Sequence, residues 1–381
     1  MTDVVVVGAG IVGAAVAREL AIRGVDVTLI DRGAVASGTT GLGEGNVLCS
    51  DKDAGPELDL AQAGLALFGE LEERLGDEAR IRRKGALIVH REAATWAAEP
   101  ARLKRMGIAG ARLVRPDELL ELEPELSSAT VHGASLFPED LQCDPRAITR
   151  ALAREAARAG AEVREGLAVE AIAMASDDAR PARVRTAGGA ISARAVVVAA
   201  GPWSRALAAG AGLRLPLEPR KGQLVRLAAP LPGLVRHKVV DGSYLLSVRS
   251  AEARLEVSTV VETTWEGDVL VGSSRERRGF DTSVDPAVSR AMVQRTARLF
   301  PVLSRLPVAA EWAGLRPWLP DHRPAIGPSR LVPGLWIATG HEGAGVALGP
   351  VTGRLLAQLY CGEPPVVDPT PLDPDRFAQT W

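Results

Sequence analysis

Three glycines close to the start of the chain have the spacing of a loop that binds a pyrophosphate group. Gly8, Gly10 and Gly13 form the pattern G-x-G-x-x-G between the apolar run 4–7 and a stretch of helical character, 14–23. In this pattern the first glycine permits a tight turn, the second lets the backbone approach the phosphates, and the third lets the helix pack closely on the strand. The free N–H groups and the positive dipole end of the helix would then face the phosphates.

An acidic residue follows these glycines at the distance that a ribose requires. Asp31 ends a second predicted strand, 25–30, roughly 20 residues after the glycine pattern, where a carboxylate accepts hydrogen bonds from ribose hydroxyls. A carboxylate there would repel a 2′-phosphate, which argues against NADP. The alternative is that Asp31 is only a surface turn residue. The motif by itself does not distinguish a nicotinamide from a flavin cofactor.

An arginine in an apolar segment is the candidate for substrate binding. Arg316 stands within 313–317, close to Trp312 and Trp318. A guanidinium in such surroundings needs an anionic partner, because an unpaired buried charge is costly. Its planar fork binds a carboxylate through two parallel hydrogen bonds. The alternative is a structural salt bridge within the protein.

Wholly apolar runs mark strands that are buried on both faces of a parallel sheet. They occur at 4–7, 195–199 and 335–339, and the last two are followed by the glycines Gly201 and Gly340. A bare backbone at these strand ends can pass close to a flat cofactor without a side-chain clash.

Helical and antiparallel segments lie between these runs. The patterns predict helices over 58–75, 116–122, 144–159, 286–300 and 345–360. They predict short strands over 84–90, 163–172, 244–248, 255–261 and 269–271. This order indicates an α/β fold, in which a discontinuous Rossmann-like domain is interrupted by an inserted α+β domain that contains an antiparallel sheet. We predict a cofactor domain at 1–80, 143–220 and 312–381, and a substrate domain at 81–142 and 221–311, with the ligand between them.

The composition argues against several functional classes. The net charge is −2 and no long run of Lys and Arg occurs, so nucleic-acid binding is not expected. Cys49, Cys143 and Cys361 are far apart and the five histidines form no cluster, so no metal or iron–sulfur site is expected. We expect no signal peptide and no transmembrane segment. The sparse cysteines favour a cytoplasmic location.

The pattern as a whole resembles one superfamily of flavoproteins. The start, VVVVGAGIVGAAVARELAIRGVDVTLIDR, and four later segments, CDPRAITRALAREAARAGAEV, VVVAAGPWS, AGLRPWLPDHRPAIGP and GLWIATGHEGAGVALGPVTGRLLAQL, are similar to the FAD-dependent D-amino-acid oxidase superfamily. That group includes glycine oxidase, sarcosine oxidase, D-amino-acid dehydrogenases and hydrogen cyanide synthase subunits. The resemblance spans nearly the whole chain and is loosest between about residues 80 and 135. It implies that FAD is the cofactor, and we expect it to be bound non-covalently, because the chain has no match to the cysteine or histidine linkages of some sarcosine oxidases.

The resemblance also implies a role for each residue of the predicted site. Cofactor binding falls to the N-terminal glycines, the loop that follows and the glycine-rich strand ends: Gly8, Gly10, Ile11, Val12, Gly13, Asp31, Arg32, Thr39, Thr40, Val169, Ala200, Gly201, Trp203, Gly340, His341, Gly343, Ala344, Gly345 and Val346. Arg316 and Tyr244 would hold the substrate carboxylate, and the alternative for Tyr244 is a half-buried core residue. The N-terminus of the last helix would stabilise negative charge on the reduced flavin.

The implied reaction is oxidation of the C–N bond of an amino acid or secondary amine by hydride transfer to flavin N5, which gives an imine that hydrolyses. Two alternatives are a flavin-dependent 2-hydroxy acid oxidoreductase and the flavin-binding subunit of a multi-subunit dehydrogenase. Gly343 stands where glycine oxidases carry a second arginine, and Glu342 is expected to face solvent. The exact substrate, the acceptor (oxygen or another), and the oligomeric state or partner subunit stay open.

Overall fold

A computed structural model of the chain describes residues 1–127, 129, 131–174, 181–248 and 255–380. The helices in this part are α1 (Ile11–Ala21), α2 (Pro56–Leu75), α3 (Ala93–Met106), α4 (Pro116–Leu122), α5 (Pro145–Arg158), α6 (Ser204–Gly210), α7 (Ser243–Val248), α8 (Pro286–Thr296) and α9 (Gly345–Cys361). The strands are β1 (Thr2–Val7), β2 (Val27–Ile30), β3 (Asn46–Val47), β4 (Ile81–Arg83), β5 (Ala86–His90), β6 (Arg112–Val114), β7 (Gly133–Phe137), β8 (Leu141–Cys143), β9 (Glu162–Arg164), β10 (Val169–Ala173), β11 (Ala182–Thr186), β12 (Gly189–Val198), β13 (Glu218–Leu227), β14 (Lys238–Asp241), β15 (Leu255–Thr263), β16 (Val269–Glu276), β17 (Val308–Trp318), β18 (Ala325–Pro328) and β19 (Leu335–Thr339).

The first sheet brings the apolar strands together. β9, β2, β1, β12 and β19 lie side by side in that order and pair in parallel. β10, β11 and β18 extend this sheet through antiparallel pairs. Residues 4–7 of β1 are all buried, as a strand covered on both faces requires. The predicted α/β fold with a Rossmann-like parallel sheet is therefore confirmed.

Successive residues of β1 point to opposite faces of this sheet, so each face has its own core. Val4 and Val6 pack into a cluster that contains residues of α1, α2, α5 and α9, while Val5 and Val7 pack into a second cluster that includes Ala208 of α6. Helices on both faces therefore hold the strand ends in place.

The second sheet is mostly antiparallel, as predicted. Its strand order is β17-β13-β16-β15-β14-β5-β7-β6, with one parallel pair between β14 and β5. α8 packs against this sheet through Met292, which belongs to the same buried cluster as Val225 and Val271. A small third sheet, β3-β8-β4, is formed by segments 46–47, 141–143 and 81–83.

Two predicted elements are wrong in detail. The strand predicted over 244–248 is part of α7, because the chain turns at the end of β14, where the N–H of Ser243 donates to Oδ1 of Asp241 at 2.9 Å. A short apolar run is compatible with either element, and this local turn favours the helix. The single strand predicted over 163–172 is two strands, β9 and β10, separated by a turn at Gly166 with φ +69°.

The division into two domains stays a prediction. All strands of the first sheet lie within the ranges predicted for the cofactor domain. The predicted boundaries after residues 220 and 311 fall inside β13 and β17, which are neighbouring strands of the second sheet. In the described part of the chain, no helix combines the length and apolar character needed to cross a membrane.

Candidate active site

A cavity of about 680 Å³ lies between the first and second sheets. On one side it is bounded by the carboxyl ends of β1, β2, β12 and β19 and by the starts of α1 and α9. On the other side it is bounded by residues of β13 to β17, for example Val240, Ser273 and Leu315. Ligands of open parallel sheets bind at the carboxyl ends of the strands, so the cavity has the expected position for a cofactor site.

The structure brings nearly all of the predicted site residues to this cavity. Only Gly13 and Gly340, among the residues predicted from the sequence, are absent from its lining. Gly13 has a packing role instead, because a Cβ on it would lie 1.7 Å from the carbonyl oxygen of Gly8. Gly340 has φ +86°, and a Cβ there would lie 2.2 Å from Leu319, so it shapes the turn that follows β19.

The loop that leads into the first turn of α1 forms a cradle with no side chain at Gly8 and Gly10. A Cβ on Gly8 would lie 2.5 Å from the carbonyl oxygen of Ala199, and one on Gly10 would lie 3.1 Å from the hydroxyl of Thr40. The first helical hydrogen bond runs from Ala14 to Gly10, so the preceding amides of the helix have no partner within it. The first turn carries no acidic residue, and Gly10 at its start has no side chain that could cap it. This open, electropositive cradle fits the pyrophosphate of FAD.

Asp31 fastens the glycine loop to the end of β2. The N–H of Ala9 donates to its Oδ2 at 2.7 Å, and the N–H of Gly33 donates to its Oδ1 at 2.8 Å. A carboxylate has about four acceptor positions, so the side chain can still accept from ribose hydroxyls. Beside it, the guanidinium of Arg32 lies 4.0 Å from the ring centre of Trp203. Ribose binding by Asp31 stays a prediction.

The two threonines differ in what their hydroxyls do. Thr40 accepts a hydrogen bond from the N–H of Ile11 at 3.1 Å, which keeps its own proton available for a phosphate. Thr39 donates to the carbonyl of Leu315 at 2.7 Å and so ties the loop to β17. Both line the cavity.

The segment before α9 carries a histidine that is buried and neutral. Nε2 of His341 lies 2.9 Å from the hydroxyl of Thr352, which in turn donates to the carbonyl of Leu348 at 2.7 Å. The hydroxyl therefore accepts from an Nε2–H. Burial lowers the pKa of His341 to about 3. α9 itself starts at Gly345 with no acidic residue in its first turn, which leaves its positive dipole end open to the cavity.

Arg316, on β17, presents its guanidinium to the cavity. Burial lowers the pKa of Arg316, and the charge of Arg275 lowers it further. Its Nη1 donates to the carbonyl of Ser274 at 2.9 Å, and no carboxylate of the described residues lies within 4.0 Å of it. The guanidinium of Arg316 has room because the facing residue on the neighbouring strand β13 is a glycine. A Cβ on Gly222 would lie 2.1 Å from Nη1 of Arg316. The alternative of a structural salt bridge therefore finds no partner in the described part of the chain.

Tyr244 also lines the cavity, but from α7 instead of a strand. The guanidinium of Arg275 lies 4.5 Å from the centre of its ring. Arg275 and Arg316 form a cationic group, and the ring of Tyr244 packs against this group through Arg275. Whether it touches the substrate stays a prediction.

The expectation that Glu342 faces solvent is wrong. It has φ +47°, which turns the side chain into the cavity wall, where Oε1 accepts from Arg220 at 2.8 Å. Nδ1 of His322 lies 3.4 Å from Oε2 of Glu342, and Nε of Arg275 lies 3.7 Å from its Oε1. Burial alone would raise the pKa of Glu342, but these three partners lower it to about 2. The carboxylate therefore pairs directly with Arg220 and Arg275, whereas it acts on Arg316 only through its charge at a longer distance.

A second charged group on the cavity wall was not predicted from the sequence. Glu44 and Lys238 both line the cavity, and Nζ of Lys238 donates to Oε2 of Glu44. Asp51 and Lys52 line it as well and pair with each other at 2.9 Å. The only signal for Glu44 was its position as the single acidic residue in a loop rich in glycine and threonine.

Comparison with known proteins places the chain among flavoenzymes. A family model described as FAD dependent oxidoreductase (DAO) matches residues 3–359. Glycine oxidase of Pseudomonas aeruginosa is 31% identical over 382 residues, which cover 97% of this chain and 98% of that protein.

Solved structures agree with this result. A crystal structure of glycine oxidase from Geobacillus kaustophilus matches with a TM-score of 0.85 at 30% identity and covers 98% of each chain. L-proline dehydrogenase from P. horikoshii matches with a TM-score of 0.90 at 25% identity and covers 100% of this chain and 98% of that one. The chain therefore belongs to the family of FAD dependent oxidoreductases, and it is an FAD enzyme that oxidises the C–N bond of an amino acid or amine.

Proposed function

We propose that the substrate is an amino acid whose carboxylate binds Arg316. The observation that carries this proposal is the environment of that side chain. Arg316 is half-buried at the cavity wall, and its one hydrogen bond in the described part of the chain goes to a backbone carbonyl. A guanidinium in this state is stabilised by a carboxylate that accepts two parallel hydrogen bonds.

The residues around Arg316 orient the substrate and hold the charges of the site fixed. FAD, when bound, supplies the acceptor for the hydride that leaves the carbon next to nitrogen. Arg316 fixes one end of the substrate, and Tyr244 lies beside it on the wall. His341 stays neutral and Glu342 stays charged at neutral pH, so neither changes the charge of the site there.

The substrate is proposed to be larger than glycine or to be a secondary amine. Gly343 lies next to the guanidinium, with Nε of Arg316 3.8 Å from the position of a Cβ on that glycine. A small residue here leaves space beside the carboxylate anchor. The likeness to L-proline dehydrogenase, whose name denotes a secondary amine substrate, supports including such amines.

A substrate panel tests the function. Purified holoenzyme is mixed anaerobically with primary and secondary amino acids, their decarboxylated amines and the matching 2-hydroxy acids, and bleaching of the flavin is recorded. Bleaching by the hydroxy acids alone would contradict amine oxidation. Peroxide release in air tests the proposal that oxygen is the electron acceptor. The mass of the particle in solution tests two further proposals, self-association and a partner subunit. Cell fractionation addresses the predicted cytoplasmic location.

Arg316→Ala should slow flavin reduction by the best amino acid, because it removes a carboxylate contact worth on the order of 2–5 kcal/mol. FAD should stay bound, and Arg316→Lys should recover only part of the rate, because an ammonium cannot form the two-pronged contact. Arg323→Ala is the matched control, since Arg323 pairs with Asp321 at 3.2 Å and is not part of the cavity lining. If Arg316→Ala keeps the preference for the acid over its decarboxylated amine, the proposed substrate class is wrong.

A further inference from the structure

We infer that Glu44 binds the amine nitrogen of the substrate and stabilises the iminium cation that forms there. This inference rests on the proposed function, because it concerns the other end of the same amino acid. It adds to the site a residue that is specific to the nitrogen, with Arg316 at the carboxylate.

Glu44 is held rigidly on the cavity wall. Its Oε2 accepts from Lys238, on β14, and from Nδ2 of Asn46 at 2.6 Å. On its other side a Cβ on Gly272 would lie 2.6 Å from Oε1, so only a glycine at this place in β16 leaves room for the carboxylate. The side chain is 15% exposed, and that exposure is toward the cavity, whose wall it helps to form.

One carboxylate oxygen of Glu44 is available for a ligand. Both hydrogen bonds described for this residue end on Oε2, and Oε1 accepts none from the described part of the chain. Oε1 is also not among the buried polar atoms without a partner, so the cavity reaches it. An ammonium or iminium N–H could therefore donate to it.

The cation that partners Glu44 is shared with a second carboxylate. Lys238 also donates to Oε1 of Glu262 at 3.3 Å, and Glu262 is fully buried away from the cavity lining. Glu342, on the same wall, is close to two arginines, since its Oε1 lies 2.8 Å from Arg220 and 3.7 Å from Arg275. The charge of Lys238 is thus divided between Glu44 and Glu262, to which Lys84 also donates at 3.4 Å, so Lys238 offsets the charge of Glu44 only in part.

The loop that carries Glu44 is fastened to the strand that carries Arg316. The hydroxyl of Thr39 donates to the carbonyl of Leu315 at 2.7 Å, and Nε1 of Trp312 donates to the carbonyl of Leu42 at 3.0 Å. These two contacts fix the spacing between the carboxylate and the guanidinium. A cavity with one anionic and one cationic wall group at a fixed spacing complements a molecule that has a carboxylate at one end and a positive charge, formed or forming, on the nitrogen at the other.

The charge of Glu44 matters most during bond cleavage. The C–H bond breaks and its electron pair leaves as hydride to the cofactor, while the lone pair of nitrogen forms the C=N bond. The substrate enters this step as the neutral amine, so the nitrogen becomes a cation when the hydride leaves, and no proton moves in the step. A carboxylate already directed at that nitrogen stabilises the charge as it develops, without reorganisation. Lys238, the charge of Arg316 and the bond from Asn46 outweigh the effect of burial and lower the pKa of Glu44, so it is ionised at neutral pH.

Two unreactive ligands of nearly identical shape test this inference without turnover. Trimethylglycine carries a fixed positive nitrogen and no lone pair for oxidation, and 3,3-dimethylbutanoate has carbon in place of that nitrogen. Calorimetric titration of oxidised holoenzyme should give at least tenfold tighter binding of trimethylglycine. Glu44→Gln should reduce this preference to about one, and Glu44→Asp should keep part of it.

Matched variants separate Glu44 from the cluster around it. Glu262→Gln removes the other carboxylate of Lys238, and it should keep most of the preference, because Glu44 itself is unchanged. The double variant Glu44→Gln with Lys238→Met removes the lysine together with its carboxylate partner, so that no uncompensated positive charge is left on the wall. It should lose the preference as the single variant Glu44→Gln does. FAD content and circular dichroism confirm that each variant is folded.

Three outcomes would overturn the inference: no preference in the wild type, an unchanged preference in Glu44→Gln, or an equal loss in Glu262→Gln. The proposed function fails separately, if no amino acid bleaches the flavin of the wild type. If both hold, Glu44→Gln should also slow flavin reduction by the best substrate at least tenfold, whereas its affinity for acetate should change less than twofold.

Discussion

His341 and Glu342 are neighbours in sequence, yet their protonation states are fixed by opposite means. His341 is surrounded by the core and bonded to Thr352, so burial removes its charge. Glu342 is half-buried, and two arginines and His322 surround it and preserve its charge. The pKa of each lies well outside the neutral range, at about 3 and about 2. At the scale of residues, the site is thus built from groups whose charge is constant at working pH.

The depressed pKa of His341 predicts a specific loss of stability in acid. An unfolded histidine takes up a proton near pH 6.5, whereas His341 in the folded protein does so only near pH 3. Its contribution to stability is therefore fully present above pH 6.5 and is lost progressively as the pH falls from 6.5 toward 3. His341→Gln should flatten the decline of unfolding free energy between pH 7 and pH 5, measured by urea titration.

The control for this prediction is His132→Gln, because His132 is exposed. That variant should keep the wild-type dependence on pH. An identical pH dependence in the wild type and in His341→Gln would show that the burial of this imidazole does not affect acid stability.

At the scale of elements, the position of the cradle depends on how α1 packs against α9. A Cβ on Gly349 would lie 3.0 Å from Ile11, and one on Gly353 would lie 2.5 Å from the backbone of Ala15. Glycines four residues apart on α9 thus allow the two helix backbones to approach closely. The first turn of α1, which faces the cavity, is held in place by this contact.

Gly353→Ala should therefore separate the two helices. Overpacking of this kind costs about 1–3 kcal/mol, which exceeds the roughly 1 kcal/mol that alanine gains over glycine within a helix. Thermal unfolding should show lower stability, and FAD titration of the apoprotein should show weaker binding.

Gly69→Ala is the control, since Gly69 lies inside α2 and a Cβ on it would meet nothing within 4 Å. It should stabilise the protein by about 0.5–1 kcal/mol. Equal effects of the two substitutions would mean that the helix contact does not depend on glycine.

The glycine-rich elements were predictable from the sequence, because their function depends on local spacing. The glycine pattern has to lie between a strand and a helix, and both elements can be recognised in the sequence around Gly8, Gly10 and Gly13. The packing of Gly353 on Ala15 was not predicted, since the two residues are far apart in the chain. The helix at 243–248 was also missed, because the turn at Asp241 that starts it leaves the apolar pattern unchanged.

The charged groups of the site were less predictable. Glu44 and Lys238 are 194 residues apart, so no local pattern connects them. Glu342 was expected to face solvent because glutamate usually does. Its left-handed backbone conformation, with φ +47°, and its contact with Arg220 exist only in the folded chain. The sequence indicated Arg316, since an arginine within an apolar segment conflicts with its surroundings unless a ligand or partner binds it.

At the scale of the whole molecule, the two large sheets meet at the cavity. Residues from the ends of β1 and β19 line it opposite residues of β14 and β16. Direct ties between the two sides include the bond from Thr39 to Leu315 and the bond from Trp312 to Leu42. Filling the cavity with FAD adds contacts to both walls at once, so the cofactor should act as part of the common core.

This arrangement predicts that FAD stabilises both sheets together. A ligand that binds only the folded state adds about 1.4 kcal/mol for each tenfold excess over its Kd. Apoprotein titrated with FAD should therefore melt in one cooperative transition that moves upward as a whole. Asp31→Ala, which releases the glycine loop from β2, should need more FAD for the same shift. Two transitions, of which FAD moves only one, would mean that the cofactor stabilises a single sheet and that the second sheet contributes no binding energy to it.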